Sequence, residues 1–170
     1  MTEMDVPYIM ATVVSVVAAY CDIKTRKIPN RLTMPSLTAG LLFNLMLGGW
    51  AGLKNSLLGL LVGVCCMLFW ILGMLKAGDI KLYMAAGAIA GWRFTVYLVV
   101  SSIIIGGVVS AVILIRNKNI RLVCRNIKHY ILYLIHTKSF QTYTPATADS
   151  YFSFGSCIAA GAVLSMCLLL

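Results

Sequence analysis

Six apolar runs, separated by short polar or basic stretches, take up most of this 170-residue chain. They cover residues 6–21, 32–50, 53–75, 82–92, 94–115 and 151–170. One helical crossing of a bilayer takes about 20 such residues, so the length leaves room for six crossings and no separate soluble domain. Composition points the same way: 61% of residues are hydrophobic and 11% charged, where a soluble domain is nearer half apolar and a quarter charged. A disordered chain and a water-soluble globule are excluded. The expected fold class is an all-α integral membrane protein, with six transmembrane helices in a single polytopic domain over residues 1–170.

The formal charge is +9, from 14 Lys+Arg against 5 Asp+Glu. In a nucleic-acid protein that surplus would form a stripe on a polar fold. Here the basic residues sit between apolar runs and instead set membrane orientation. With the N-terminus outside, the inner segments hold Lys24, Arg26, Lys27, Arg31, Lys76, Lys81, Arg116, Lys118, Arg121, Arg125, Lys128 and Lys138, which is 12 of the 14. Lys54 and Arg93 are left outside. The positive-inside rule favours this topology, and six crossings return the C-terminus to the outer face. The expected location is the cell (cytoplasmic) membrane, with no nucleic-acid partner. The acidic start, Met1 to Asp5, is unlike the basic head of a secretory signal.

Segment 116–138 is too charged to cross. Its apolar residues Ile120, Val123, Ile127, Ile131, Leu134 and Ile135 recur at steps of three and four, the period of one helix face. The pattern predicts a basic amphipathic helix on the cytoplasmic leaflet, with a soluble partner-binding helix as the alternative. Neither cysteines nor histidines suggest a metal. None of the six cysteines forms a CxxC pair, Cys65, Cys66, Cys157 and Cys167 lie inside apolar runs, and no ligand cluster surrounds His129 and His136.

The fourth run is only 11 residues, about 17 Å of helix against a hydrocarbon core of about 30 Å. It is built from small residues: Ala85, Ala86, Gly87, Ala88, Ala90 and Gly91. Gly59 and Gly63 offer a similar surface on the third run. Small residues let helix backbones approach closely in a membrane. A locally thinned membrane that admits water to a nearby site is the other reading.

Acidic residues are few enough to take singly. Glu3 and Asp5 lie at the N-terminus and Asp149 in the loop before the last run. Asp22 and Asp79 differ, because each sits where an apolar run meets the inner face, and ionisable groups at membrane depth raise a functional hypothesis. Asp22 could pair with Lys24 or Arg26, and Asp79 with Lys76 or Lys81. Against simple pairing, the topology puts both carboxylates on one side at similar depth, with no Ser/Lys or metal constellation to compete. Two carboxyls brought together share one proton: the neutral acid polarises a peptide carbonyl while the carboxylate activates a water. That is aspartic protease chemistry, and it needs no cofactor.

These residues also resemble a family. Asp22-Ile23-Lys24-Thr25-Arg26-Lys27-Ile28-Pro29-Asn30-Arg31-Leu32-Thr33-Met34-Pro35 is similar to the first catalytic segment of the type IV prepilin peptidases, GxGD-type membrane aspartic peptidases. That segment is an Asp, a basic stretch, Ile-Pro-Asn, then Leu-Thr-x-Pro. Lys76-Ala77-Gly78-Asp79-Ile80-Lys81-Leu82 resembles the second, Gly-x-Gly-Asp followed by hydrophobic-Lys-Leu. The number and order of apolar runs extend the resemblance over nearly the whole chain. Position 76 departs from it, being Lys where the motif has its first Gly.

The resemblance implies a membrane endopeptidase that removes the short basic leader of prepilin-like precursors at the cytoplasmic face, cutting after a leader Gly. Asp22 and Asp79 would be catalytic. Gly78 would let the backbone approach, Pro29 and Asn30 would shape the turn after the first helix, and Lys24 and Lys81 would tune the acids or lie in solvent or lipid. Long members carry a CxxC…CxxC zinc segment between the first two helices and also methylate the new N-terminus. Here about ten residues join those runs and no CxxC occurs, so the chain resembles the short, peptidase-only subgroup, and neither a methyltransferase nor a cofactor is implied. The partners expected are prepilin precursors and the bilayer. The rival from another class is a small transporter or an assembly scaffold, in which the aspartates relay protons or pair with lysines. Five scattered acids do not supply the metal-binding motif of a lipid head-group transferase.

Overall fold

The computed structural model describes residues 5–71, 74–116 and 153–169. Every secondary element among them is a helix: α1 Asp5–Thr25, α2 Asn30–Cys65, α3 Met67–Ile71, α4 Ala77–Arg116 and α5 Phe154–Leu169. Three stretches are long and apolar enough to cross a membrane: Val6–Thr25, Asn30–Ile71 and Ala77–Ile113; α5 is a shorter apolar helix. The chain is a membrane protein, all-helical over its described residues. The amphipathic helix expected within 116–138 lies, beyond Arg116, outside the described residues, as do His129, His136, Cys124 and Asp149.

Two glycines divide the longest helices. Gly49 in α2 has φ 54° and ψ −139°, and Gly91 in α4 has φ 81° and ψ −178°. A side chain would strain both conformations, which glycine adopts freely. The chain doubles back at each. A Cβ placed on Gly52 would lie 3.7 Å from the Cα of Asn44, although residues eight apart on one straight helix are about 12 Å apart. Likewise the Tyr83 hydroxyl is 2.7 Å from Ser102 Oγ across the Gly91 break. These breaks fall inside the second and fourth apolar runs, each two residues ahead of the boundary expected from sequence, at 51–52 and 93.

Breaking α4 at Gly91 leaves carbonyls without their helical partners, and Asn44 takes them. Its Nδ2 donates to Ala88 O at 3.1 Å and Ile89 O at 2.7 Å, and to Gly40 O in its own helix at 3.1 Å. Asn44 and Asn55, which packs against Gly91, line a cavity of about 440 Å³ with Tyr8, Trp92 and Arg93.

The interior is made of small residues. Gly59 and Gly87 meet backbone to backbone, and a Cβ on Gly63 would come within 2.7 Å of Met84 N. Ala85, Ala86, Ala88 and Ala90 are buried around Leu82, Tyr83 and Ile89. The fourth run is thus short and poor in bulky side chains because it is enclosed by its neighbours, where close backbone approach replaces side-chain filling. Large apolar residues such as Val13, Met46, Leu61 and Ile104 face outward, the reverse of a soluble protein. Several buried hydroxyls bond along their own helices: Ser15 donates to Ala11 O, Thr95 to Gly91 O and Ser165 to Gly161 O, at 2.7–2.8 Å, while those of Thr33 and Ser56 have no partner among the described residues.

Candidate active site

Asp22 and Asp79, 57 residues apart in sequence, are each 1% exposed and line the same cavity of about 190 Å³. Arg26, Lys27, Ile28, Asn30, Lys76, Gly78 and Lys81 complete its wall. The space admits several water molecules. It lies at the opposite end of α1 from Tyr8 and the larger cavity, about 21 Å away along the helix.

The end of α1 delivers Asp22. Arg26 leaves the helix with φ 55°, a left-handed conformation uncommon outside glycine, and its N–H closes onto Asp22 O at 2.8 Å. Thr25 Oγ1 donates to Cys21 O at 2.8 Å and to Lys27 O at 2.9 Å, pinning the exit. This bend turns Arg26 and Lys27 onto the cavity. Pro29 follows in an extended conformation (φ −72°, ψ 133°) as the N-cap of α2, and its carbonyl accepts the N–H of Leu32 at 3.0 Å. Asn30 is the first residue of α2.

The start of α4 delivers Asp79. Its Oδ2 accepts the backbone N–H of Lys76 at 3.0 Å, while its own N–H donates to Lys76 O at 3.0 Å. This is the return arm of a capping box, in which an acid in the first turn satisfies the N–H of the residue before the helix. Position 76 contributes a backbone N–H to this contact, which lysine supplies as well as glycine, and Lys76 does not have the positive φ that would demand glycine.

Gly78 serves close approach rather than unusual dihedrals. A Cβ there would lie 3.3 Å from Ile28 Cβ, so a side chain would require Ile28 or the first turn of α4 to shift by a few tenths of an ångström. Lys81 Nζ donates to Asn30 Oδ1 at 2.9 Å, joining the two motifs across that loop. Lys24 is exposed and does not line the cavity, as in the alternative that leaves it in solvent or lipid. It sits before the left-handed turn, and the cations on the cavity wall, themselves exposed, are Arg26 and Lys27. The hydrogen bonds to the two carboxylates come from backbone N–H groups and a hydroxyl, where simple ion pairing called for ammonium or guanidinium donors.

Two residues that sequence reasoning passed over complete the site. Ser153 Oγ donates to Asp22 Oδ2 at 2.6 Å, and the Gly155 N–H donates to the same oxygen at 3.1 Å. Both belong to the head of α5. The alternation of apolar runs puts that head on the same face as the two aspartates, and this was the signal available. Among the described residues no three His, Cys, Asp or Glu side chains gather as a metal-ligating group.

Two aspartates at helix ends are thus buried side by side on one cavity. Residues 9–111, spanning both aspartates, match the type IV leader peptidase family, and the chain belongs to that family. It is similar to prepilin leader peptidase/N-methyltransferases of Aeromonas hydrophila (35% identical over 118 residues, 64% of this chain and 40% of the relative), Burkholderia pseudomallei (34% over 100 residues, 54% and 32%) and Klebsiella pneumoniae (33% over 85 residues, 45% and 37%). The chain thus spans well under half the length of these relatives. No solved structure matches it.

Proposed function

We propose that this protein is a membrane aspartic endopeptidase that removes the short basic leader from type IV prepilin-like precursors. The observation that carries this is the burial of Asp22 and Asp79 on one cavity of about 190 Å³, held by helices from distant parts of the chain. One carboxylate takes a proton from a water in the cavity, and that water attacks the scissile carbonyl carbon. The other, protonated, carboxyl donates to the carbonyl oxygen as the tetrahedral diol forms. Collapse breaks the C–N bond, the nitrogen takes up a proton, and leader and mature chain separate with the two carboxyls back in their starting states. No step calls on a cofactor.

In this reading residues 1–170 form one polytopic domain, and the limbs on either side of Gly49 and Gly91 cross separately, making six crossings with α1 and α5. The site faces the cytoplasm and both termini lie outside, supported by 12 of 14 basic residues on the inner side. The first limb of α4, residues 77–90, is about 21 Å long, short of a core of about 30 Å. It brings the aspartates below the surface while leaving them reachable by water. A prepilin would present its apolar helix from the bilayer and its leader from the cytoplasm. The curated relatives also carry the name N-methyltransferase; for this chain, whose sequence has no CxxC pair, the proposal is peptidase action alone.

Co-expression with a type IV prepilin, scoring leader removal on a gel, tests the proposal. The wild-type chain shortens the precursor, and Asp22→Asn and Asp79→Asn do not. Cleavage by either variant at near wild-type rate returns the chain to the transporter or scaffold reading.

A further inference from the structure

A serine directly before a helix ordinarily spends its side-chain oxygen on an N–H of the first turn. Ser153 does something else. Its hydroxyl donates to Asp22 Oδ2 at 2.6 Å, and the first-turn N–H it would have capped, that of Gly155, is given to the same carboxylate oxygen at 3.1 Å. Asp22 therefore caps α5 from another helix, 131 residues earlier in the chain. Ser153 keeps its place through its backbone instead: its carbonyl accepts Ser156 Oγ at 2.7 Å and Ser156 N at 3.3 Å. Gly155 is equally constrained. A Cβ there would lie 2.9 Å from both Cβ and Oδ2 of Asp22, so any side chain would displace the acid.

We propose that Ser153 is a positioning residue for the peptidase reaction, and that it works with the Gly155 N–H to fix the Asp22 carboxyl so that Oδ1 is the oxygen left to meet water and substrate. This rests on the reading of Asp22 as half of the catalytic pair. Two donors converging on Oδ2 set the rotation of the carboxyl group. One donor would leave it free to swing toward Arg26 or Lys27 on the cavity wall. Both donors lie beyond residues 9–111, the segment matched by the family. The head of α5 is thus part of the active site and not only a membrane anchor.

The test compares Ser153→Thr with Ser153→Val in the full-length protein, purified in detergent and assayed on a purified type IV prepilin. The two variants have nearly the same shape, and only threonine keeps the hydroxyl. Ser153→Thr is expected to retain most of the wild-type kcat, and Ser153→Val to lose about 10- to 100-fold, the scale of a misplaced reacting group, with KM changed less than twofold. Gly155→Ala should lose kcat similarly. Equal kcat for the threonine and valine variants overturns the proposal, as does a valine variant whose loss lies wholly in folded yield. Asp22→Asn, run alongside, separates the two ideas. An inactive Asn variant beside a fully active valine variant refutes the role of Ser153 alone, and an active Asn variant refutes the aspartic mechanism itself.

Discussion

Lys81 Nζ and Asn30 Oδ1, 2.9 Å apart, tie the first turn of α4 to the first residue of α2. Both residues line the cavity that holds Asp22 and Asp79. The contact makes Lys81 a brace between the two motifs and directs its ammonium group to a neutral amide oxygen.

That brace can be measured. Lys81→Met and Asn30→Ala should each slow leader removal by several-fold, since one half-exposed charge-assisted hydrogen bond contributes on the order of 1 kcal/mol. The double variant should be scarcely slower than either single one, because both remove the same contact. Additive losses in cleavage rate would show that the two side chains act separately.

The carboxyl pair leads to a sharper outcome. Asp22→Asn and Asp79→Asn should each abolish processing while the protein still accumulates in the membrane, because asparagine keeps the shape but cannot exchange the proton. Residues acting as one unit are not additive, so the double variant should match the singles. Asp5→Asn and Asp149→Asn should cleave normally. Activity on a co-expressed prepilin, with membrane abundance by immunoblot, gives the comparison.

Helix packing makes two glycines in α4 behave oppositely. Gly87 lies against the Gly59 backbone, whereas nothing stands within 4 Å of a Cβ on Gly107. Gly87→Ala should destabilise by about 1–3 kcal/mol through overpacking, and Gly107→Ala should be neutral or stabilising by up to about 1 kcal/mol from helix propensity. Thermal unfolding in detergent should move in opposite directions, or fall for Gly87→Ala alone.

At Gly49 the effect comes from the backbone alone. A Cβ there meets nothing within 4 Å, but φ is 54°. Gly49→Ala should cost about 1–3 kcal/mol, the penalty of a positive-φ backbone region open essentially to glycine alone. An unchanged melting temperature would mean that the reversal does not depend on this dihedral.

The proposed topology places residue 50, just after that reversal, outside, and residue 119 inside. On a cysteine-free background, an impermeant thiol reagent added to intact cells should label Trp50→Cys and spare Asn119→Cys until the membrane is opened. Labelling of position 119 from outside would reverse the arrangement.

Hydropathy and charge pattern alone determined that this chain is a helical membrane protein. They also marked Asp22 and Asp79 as the acids to watch, because a carboxylate beside an apolar run is conspicuous against a nearly uncharged background. The small residues around Gly87, with Gly59 and Gly63, signalled close packing by the same local logic. Tertiary structure decided what depends on residues far apart in the chain. Ser153 is one polar residue among several ahead of the last apolar run, and only the docking of α5 on α1 brings its hydroxyl to Asp22. Asn44 reads as a lone amide in an apolar run until the break at Gly91 frees the carbonyls of Ala88 and Ile89. Lys24, Arg26 and Lys27 form one basic stretch in sequence, and the left-handed turn at Arg26 decides that the last two face the cavity while Lys24 does not. Apolar and charge patterns are local sums over neighbouring residues and survive in one dimension. Hydrogen-bond partners and backbone contacts are set by where helices meet, and that is established only when the bundle closes.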